Sequence, residues 1–230
     1  MRVTIHQPEH MPWPGFFHKM INADLFIILD TVQYRKNYFQ NRNRIVGEVG
    51  DPIWLTVPTK NISFEELISE KLIDKTSNHW PRKYLNLIKS CYTGTQFFKD
   101  YSDELFQIVS NDFDKLADLN IALIMFFRKH LGIGCEIMLS STITHYGSKS
   151  DLNLALCKAV GANEYLSGAS GRDYLDLTSF SISGIKVLFN DYNPPNYLSP
   201  NYHPYLSTLD LLFRHGPNAV NIIKTGGKEF

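Results

Sequence analysis

Ile5-His6-Gln7-Pro8-Glu9-His10-Met11-Pro12-Trp13-Pro14-Gly15-Phe16-Phe17-His18 leads, a few residues later, into Leu25-Phe26-Ile27-Ile28-Leu29. Prolines at 8, 12 and 14 fix φ and remove three backbone donors. Neither a helix nor a central strand can run through that loop. Val3 to Ile5, just before it, reads as a short strand. Gly15 to Ala23, just after it, reads as a helix. The apolar run within Asp24 to Leu29 has the length and composition of a buried strand. Strand, loop-helix and strand make a βαβ unit, which predicts an α/β fold built on a mostly parallel, Rossmann-like sheet. Such sheets place ligands at the carboxyl ends of their strands, where Gln7 and Asp30 stand.

Working outward, residues 31–44 are dense in hydrogen-bonding side chains. Gln33, Tyr34, Asn41, Arg42 and Arg44 lie there. One reading is a solvated loop. The other is an anion site, because guanidinium forks match phosphate and carboxylate. Ile45 to Val49 and Ile53 to Val57 read as strands joined by a Gly50-Asp51-Pro52 turn, with Lys60 close behind. Lys71 to Ile73 is a third short strand candidate. Apolar periodicity predicts helices over Asn78 to Ser90, Phe97 to Ile108 and Phe113 to Leu131. Together they form an added helical layer or lobe, an insertion over about 77–132.

Cys135 to Leu139 reads as a strand and Asp151 to Val160 as a helix. Glu164 to Ser167 is a strand that opens into Gly168-Ala169-Ser170-Gly171-Arg172. Small residues there let backbone N–H groups approach an anion, with Arg172 as a counter-charge. A tight strand-to-helix turn with a surface arginine explains the same residues. Ile185 to Phe189 is a further strand. The loop after it carries Tyr197, Tyr202, His203 and Tyr205, candidates for a site wall. Ser207 to His215 is a helix with Ser207 and Asp210 as a capping-box pair. The tail from Thr225 to Phe230 reads as mobile.

Composition bounds the function. The chain has 230 residues, 43% hydrophobic and 20% charged, with no net charge. That is an ordinary globular balance, without the basic excess of a nucleic-acid scaffold. Cys91, Cys135 and Cys157 are scattered and odd in number, so neither a disulfide framework nor a thiolate zinc site is indicated. No signal peptide is evident, and the longest apolar runs, such as Ile121 to Phe127, are too short to span a membrane. A cytoplasmic location is expected. His6 and His10 flank Pro8 and so lack helical metal-pair spacing; no metal is assigned. As imidazoles they suit proton transfer, with Glu9 or Asp30 to orient them.

The opening block, Gln7-Pro8-Glu9-His10-Met11-Pro12-Trp13-Pro14-Gly15-Phe16-Phe17, resembles the signature of the WbqC-like family, roughly Gln-Pro-x-Tyr-x-Pro-Trp-x-Gly-Tyr-Phe. The resemblance continues at Phe26 to Tyr34, Gln40 to Ile45, Trp54 to Pro58, Tyr165 to Leu175 and Leu206 to Phe213. His10 and Phe16 stand where the family commonly has Tyr. The resemblance implies one α/β domain over 1–230 and a place in bacterial surface-polysaccharide (O-antigen) biosynthesis. The expected function is acyl or aminoacyl transfer to a nucleotide-linked amino sugar. His6, His10 and Asp30 are the candidate catalytic groups. Gln7, Trp13, Gln33, Tyr34, Asn41, Arg42, Arg44, Lys60, Gly168, Ser170, Arg172 and Tyr197 are the candidate substrate contacts. No cofactor is indicated. The alternatives are an ATP-dependent nucleotidyl transferase or ligase, whose His-x-Gly-His motif is missing here, and a noncatalytic partner in polysaccharide assembly.

Overall fold

A computed structural model describes residues 1–61, 65–76, 80–197 and 203–230. Five parallel strands form the sheet: β1 (Arg2–His6), β2 (Leu25–Ile28), β5 (Glu136–Leu139), β6 (Glu164–Gly168) and β7 (Lys186–Asn190). Their spatial order is β5-β2-β1-β6-β7. The chain therefore builds outward from β1 to one side, then returns to pair β6 on the other. The reversal falls between β1 and β6, the kind of switch point at which doubly wound sheets open a crevice.

Side-chain alternation decides which helices cover which face. Leu25 and Ile27 of β2 join Val3, Ile5, Leu156 and Phe180 in one cluster. That face is covered by α5 (Lys149–Ala159) and α6 (Leu177–Ile182). Phe26 and Ile28 point the other way, into a larger cluster with Phe16, Phe17, Phe127, Leu212 and Ile223. It draws on α1 (Pro14–Ile21), α4 (Leu116–His130), α7 (Thr208–His215) and α8 (Ala219–Thr225). Burial on both faces is what parallel strands require. With α2 (Trp80–Tyr92) and α3 (Phe98–Ser110), α4 forms the expected helical layer; the predicted start of α2 at Asn78 lies outside the described residues.

The hairpin differs from its expectation. β3 (Arg42–Val46) and β4 (Pro52–Thr56) pair with Arg44 opposite Trp54. The strand thus begins inside the stretch read as a polar loop. Asn43 and Ile45 are buried while Arg42 and Arg44 are less so, which is strand alternation in charged residues. Leu72 and Ile73 make isolated bridges rather than a strand. The capping box is half formed: Ser207 Oγ accepts from Leu209 N, but the Asp210 carboxylate accepts from Arg214 Nε at 3.0 Å.

The tail is not loose. Gly226 and Gly227 lie against the Tyr192 and His18 rings so closely that a Cβ would fall 2.5 Å from either ring. Asn193 N donates to Gly226 O, Phe230 N to Asn22 Oδ1, and Arg2 Nη1 to Phe230 O. Contacts with Tyr192, His18, Asn193, Asn22 and Arg2, all far away in sequence, fix what composition alone read as free.

Candidate active site at the sheet switch point

A cleft of about 550 Å³ opens at the carboxyl ends of β1, β6 and β7. The last residues of those strands, His6, Gly168 and Asn190, line it. Helix α1 starts beside it with Trp13 as N-cap and Pro14 at N1, where a missing N–H costs nothing. The Trp13 ring lies back over Gly15, whose absent Cβ would sit 2.2 Å from it. Trp13 meets Tyr192 at 5.4 Å and Tyr205 at 5.3 Å between ring centroids, forming an aromatic wall. Arg44, Tyr38 and Phe39 contribute the wall from the hairpin side.

Three titratable groups meet on the floor. His6 Nε2 is 3.2 Å from Glu9 Oε1. Burial and the Lys19 charge lower the His6 pKa against the opposing pull of Glu9, so the ring is neutral at pH 7. Nε2–H then donates to the carboxylate, which leaves Nδ1 as the acceptor nitrogen, enclosed and without a partner among the described residues. Glu9 is 6% exposed, and its Oε2 also lacks a partner among the described residues. Lys19, 4% exposed, donates from Nζ to the Ile5 carbonyl at 3.0 Å. Burial pushes its pKa down to about 8, with Glu9 opposing the shift. Beneath the floor, His18 Nδ1 shares a 2.6 Å hydrogen bond with Asn190 Oδ1.

Of the residues singled out from sequence, the cleft gathers His6, Glu9, Trp13, Arg44, Gly168, Ser170 and Tyr205. It does not gather His10 or Asp30. His10 is fully enclosed, with Nδ1 2.8 Å from Asn120 Oδ1 and Nε2 2.7 Å from Tyr84 Oη; burial drives its pKa to about 4. Asp30 accepts from Ser140 Oγ, Ser141 N and Ser141 Oγ at 2.7, 2.9 and 2.7 Å. It ties β2 to the turn after β5.

Other candidates stand away from the cleft. Gln7 accepts from Gln40 Nε2, Asn41 donates to Val57 O, and Gln33 bridges to Leu67. The Tyr34 ring packs under the Lys71 ammonium, and the Lys60 carbonyl accepts from Lys71 Nζ. Arg42 lies 4.2 Å over Trp54 and donates to Asn37 O. Arg172 makes two 2.7 Å bonds to Asp191 over the Phe189 ring. Tyr197 packs edge-on against His215, while His203 reaches Gly50 O. Tyr202 lies outside the described residues.

Lys19 is the site residue that the sequence hid, since a lysine in the last turn of a helix ordinarily complements the dipole at the surface. Tyr192, Tyr174 and Asn190 also line the cleft without having been singled out for it. Among the described residues, no group of three or more His, Cys, Asp or Glu side chains is placed to hold a metal. No helix among them is long and apolar enough to cross a membrane.

Residues 7–222 match the WbqC-like protein family. The chain belongs to that family. A similar protein, the uncharacterized protein Rv1507c of Mycobacterium tuberculosis, is 32% identical over 228 residues, covering 97% of each chain. No solved structure matches. The match begins at Gln7 and so takes in the loop that carries Glu9 and Trp13 to the cleft.

Proposed function

We propose that the cleft binds a nucleotide-linked amino sugar and transfers an acyl or aminoacyl group to its amine, in the synthesis of a bacterial surface polysaccharide. The observation that carries this reading is the His6–Glu9 pair on the floor of an aromatic-walled cleft at the switch point. A neutral imidazole oriented by a carboxylate is a general base suited to neutral pH. As the amine nitrogen bonds to the acyl carbon, its proton passes to the pair and then to the departing group. Trp13, Tyr192 and Tyr205 offer faces for sugar or base stacking. Arg44, with no carboxylate within ion-pair distance among the described residues, offers charge for a phosphate.

A second reading, nucleotidyl transfer, is favoured by the strand order alone. Loop and helix after β1, beside the switch point, are also where nucleotidyl transferases hold phosphates. Pro12-Trp13-Pro14-Gly15 replaces their histidine motif.

A thermal-shift panel of nucleotide amino sugars, acyl thioesters and ATP with Mg²⁺ tests both. Ligand at a hundredfold its dissociation constant adds about 2.7 kcal/mol, or roughly 5–10 °C for a chain of this size. A shift with nucleotide amino sugars that Arg44→Ala reduces supports transfer. A shift with ATP and Mg²⁺ alone supports the second reading. No shift at saturation removes both.

A further inference from the structure

Two lysines are almost wholly buried among the described residues, and they are treated differently. Lys71, 2% exposed, is held by an ion pair to Glu66 Oε2 at 2.7 Å and by the Lys60 carbonyl. That is a satisfied structural cation. Lys19 is 4% exposed, yet among the described residues no carboxylate comes within ion-pair distance of it; its hydrogen bond is to the neutral Ile5 carbonyl. Glu9 is near enough to act on its charge but is engaged by His6. The unpaired lysine lines the cleft; the paired one does not. A buried ammonium without a counter-ion is costly, so the site weakens the proton's hold on Nζ and raises the share of free amine above that of a solvated lysine. The depressed pKa agrees with this. A free amine is a nucleophile.

We propose that Lys19 captures a carbonyl compound, an aldehyde or ketone, as an imine on the floor of this cleft. The Nζ lone pair attacks the carbonyl carbon and an N–C bond forms. The C–O bond then breaks. The oxygen leaves as water carrying both amine protons, with Glu9 and His6 beside it to pass them. No oxidant, reductant or further reactant enters. Imine formation is reversible, unlike acylation of the same amine, which would leave a stable amide and a dead site. Arg44 and the Ser167 and Ser170 hydroxyls suit a ligand whose remaining part is anionic and hydroxylated. The proposal goes beyond the acyl-transfer reading and does not depend on it.

The test is trapping. The full chain is mixed at pH 8 with an equimolar phosphorylated aldehyde, in one arm pyridoxal 5′-phosphate and in the other glyceraldehyde 3-phosphate. Borohydride then reduces any imine, and peptide mass spectrometry locates it. The expected result, in at least one arm, is label on Lys19 at least tenfold above exposed lysines such as Lys36 and Lys158. Glu9→Gln slows that labelling severalfold and leaves the exposed lysines unchanged. Lys19→Arg loses it, with circular dichroism confirming the fold. Lys19 labelled no faster than Lys36 and Lys158 in both arms overturns the proposal. Labelling indifferent to Glu9→Gln overturns the role of the floor in it.

Discussion

His10 and Asn120, 110 residues apart, are joined by a 2.8 Å hydrogen bond in a site closed to solvent. The same amide donates to the carbonyls of Pro8 and Gln40 at 3.0 and 2.7 Å. One side chain of α4 thus holds both the proline loop and the chain leading into β3. Asn120→Ala would leave three buried polar groups unpartnered. The expected loss is roughly 2–4 kcal/mol, seen as a lower urea midpoint with unchanged slope. A midpoint within error of the parent would show that the loop is held by its aromatic packing instead.

Acid should weaken the fold through the same histidine. Its pKa in the folded state, about 4, lies below the ordinary 6.5. The unfolded chain therefore takes up a proton first as pH falls. Stability is intact above about pH 6.5 and declines towards pH 4, by about 3 kcal/mol from this group. His6 and His18 are shifted in the same direction by burial and add to the loss. Urea unfolding at pH 7.5, 6 and 5, with the His10 ring titrated by NMR, checks this. A His10 ring that titrates near 6.5 would refute it.

Gly15→Ala separates folding from the site. Helix interiors favour alanine over glycine by up to about 1 kcal/mol. Here the new methyl would enter the Trp13 ring, 2.2 Å from its nearest carbon. Trp13 must swing away from the Tyr192 and Tyr205 rings. The expectation is a changed tryptophan emission and at least tenfold weaker binding of any cleft ligand, with circular dichroism retained. Unaltered binding would remove the aromatic wall from the recognition argument.

The thiols should be quiet. Burial pushes Cys135 and Cys157 up to about 12, and Cys91 is raised as well. At pH 8 a thiol of pKa 12 is thiolate in about one molecule in ten thousand. A disulfide reagent should find only half-buried Cys91 in the native chain, slowly, and all three after unfolding. Rapid modification of Cys157 would contradict the packing of α5 against the sheet.

Much of the fold was legible because the parallel strands are short apolar runs with flanking breakers, as at Leu25 to Leu29. The hairpin was half legible. Its turn was marked by Gly50-Asp51-Pro52, but alternation in Arg42-Asn43-Arg44 is written in polar residues, which hydrophobic periodicity cannot register. Helix α8 was missed although Ala219 and Ile223, both fully buried, stand at i and i+4. The cleft was legible as a location from strand ends and as a loop from its prolines. Its occupants were harder to read. His6 and His10 look equivalent in sequence, and only the fold sends one to the floor and the other to Asn120. Lys19 enters because α1 lies beside the Ile5 carbonyl, a tertiary fact with no local signal.

The position of β1 at the centre of the sheet sets a timetable. Thr4 pairs with Leu166, and its hydroxyl bonds that residue's carbonyl across a separation of 162 residues. At a synthesis rate of about 5–20 residues per second, β1 and β2 wait roughly 10–30 s for β6. During that interval the central strand has an open edge and His6 has no opposite wall. Pairings of such long range are slow to form in refolding as well. Helical signal should therefore recover before ligand binding does, and the cleft should be among the last parts of the molecule to exist.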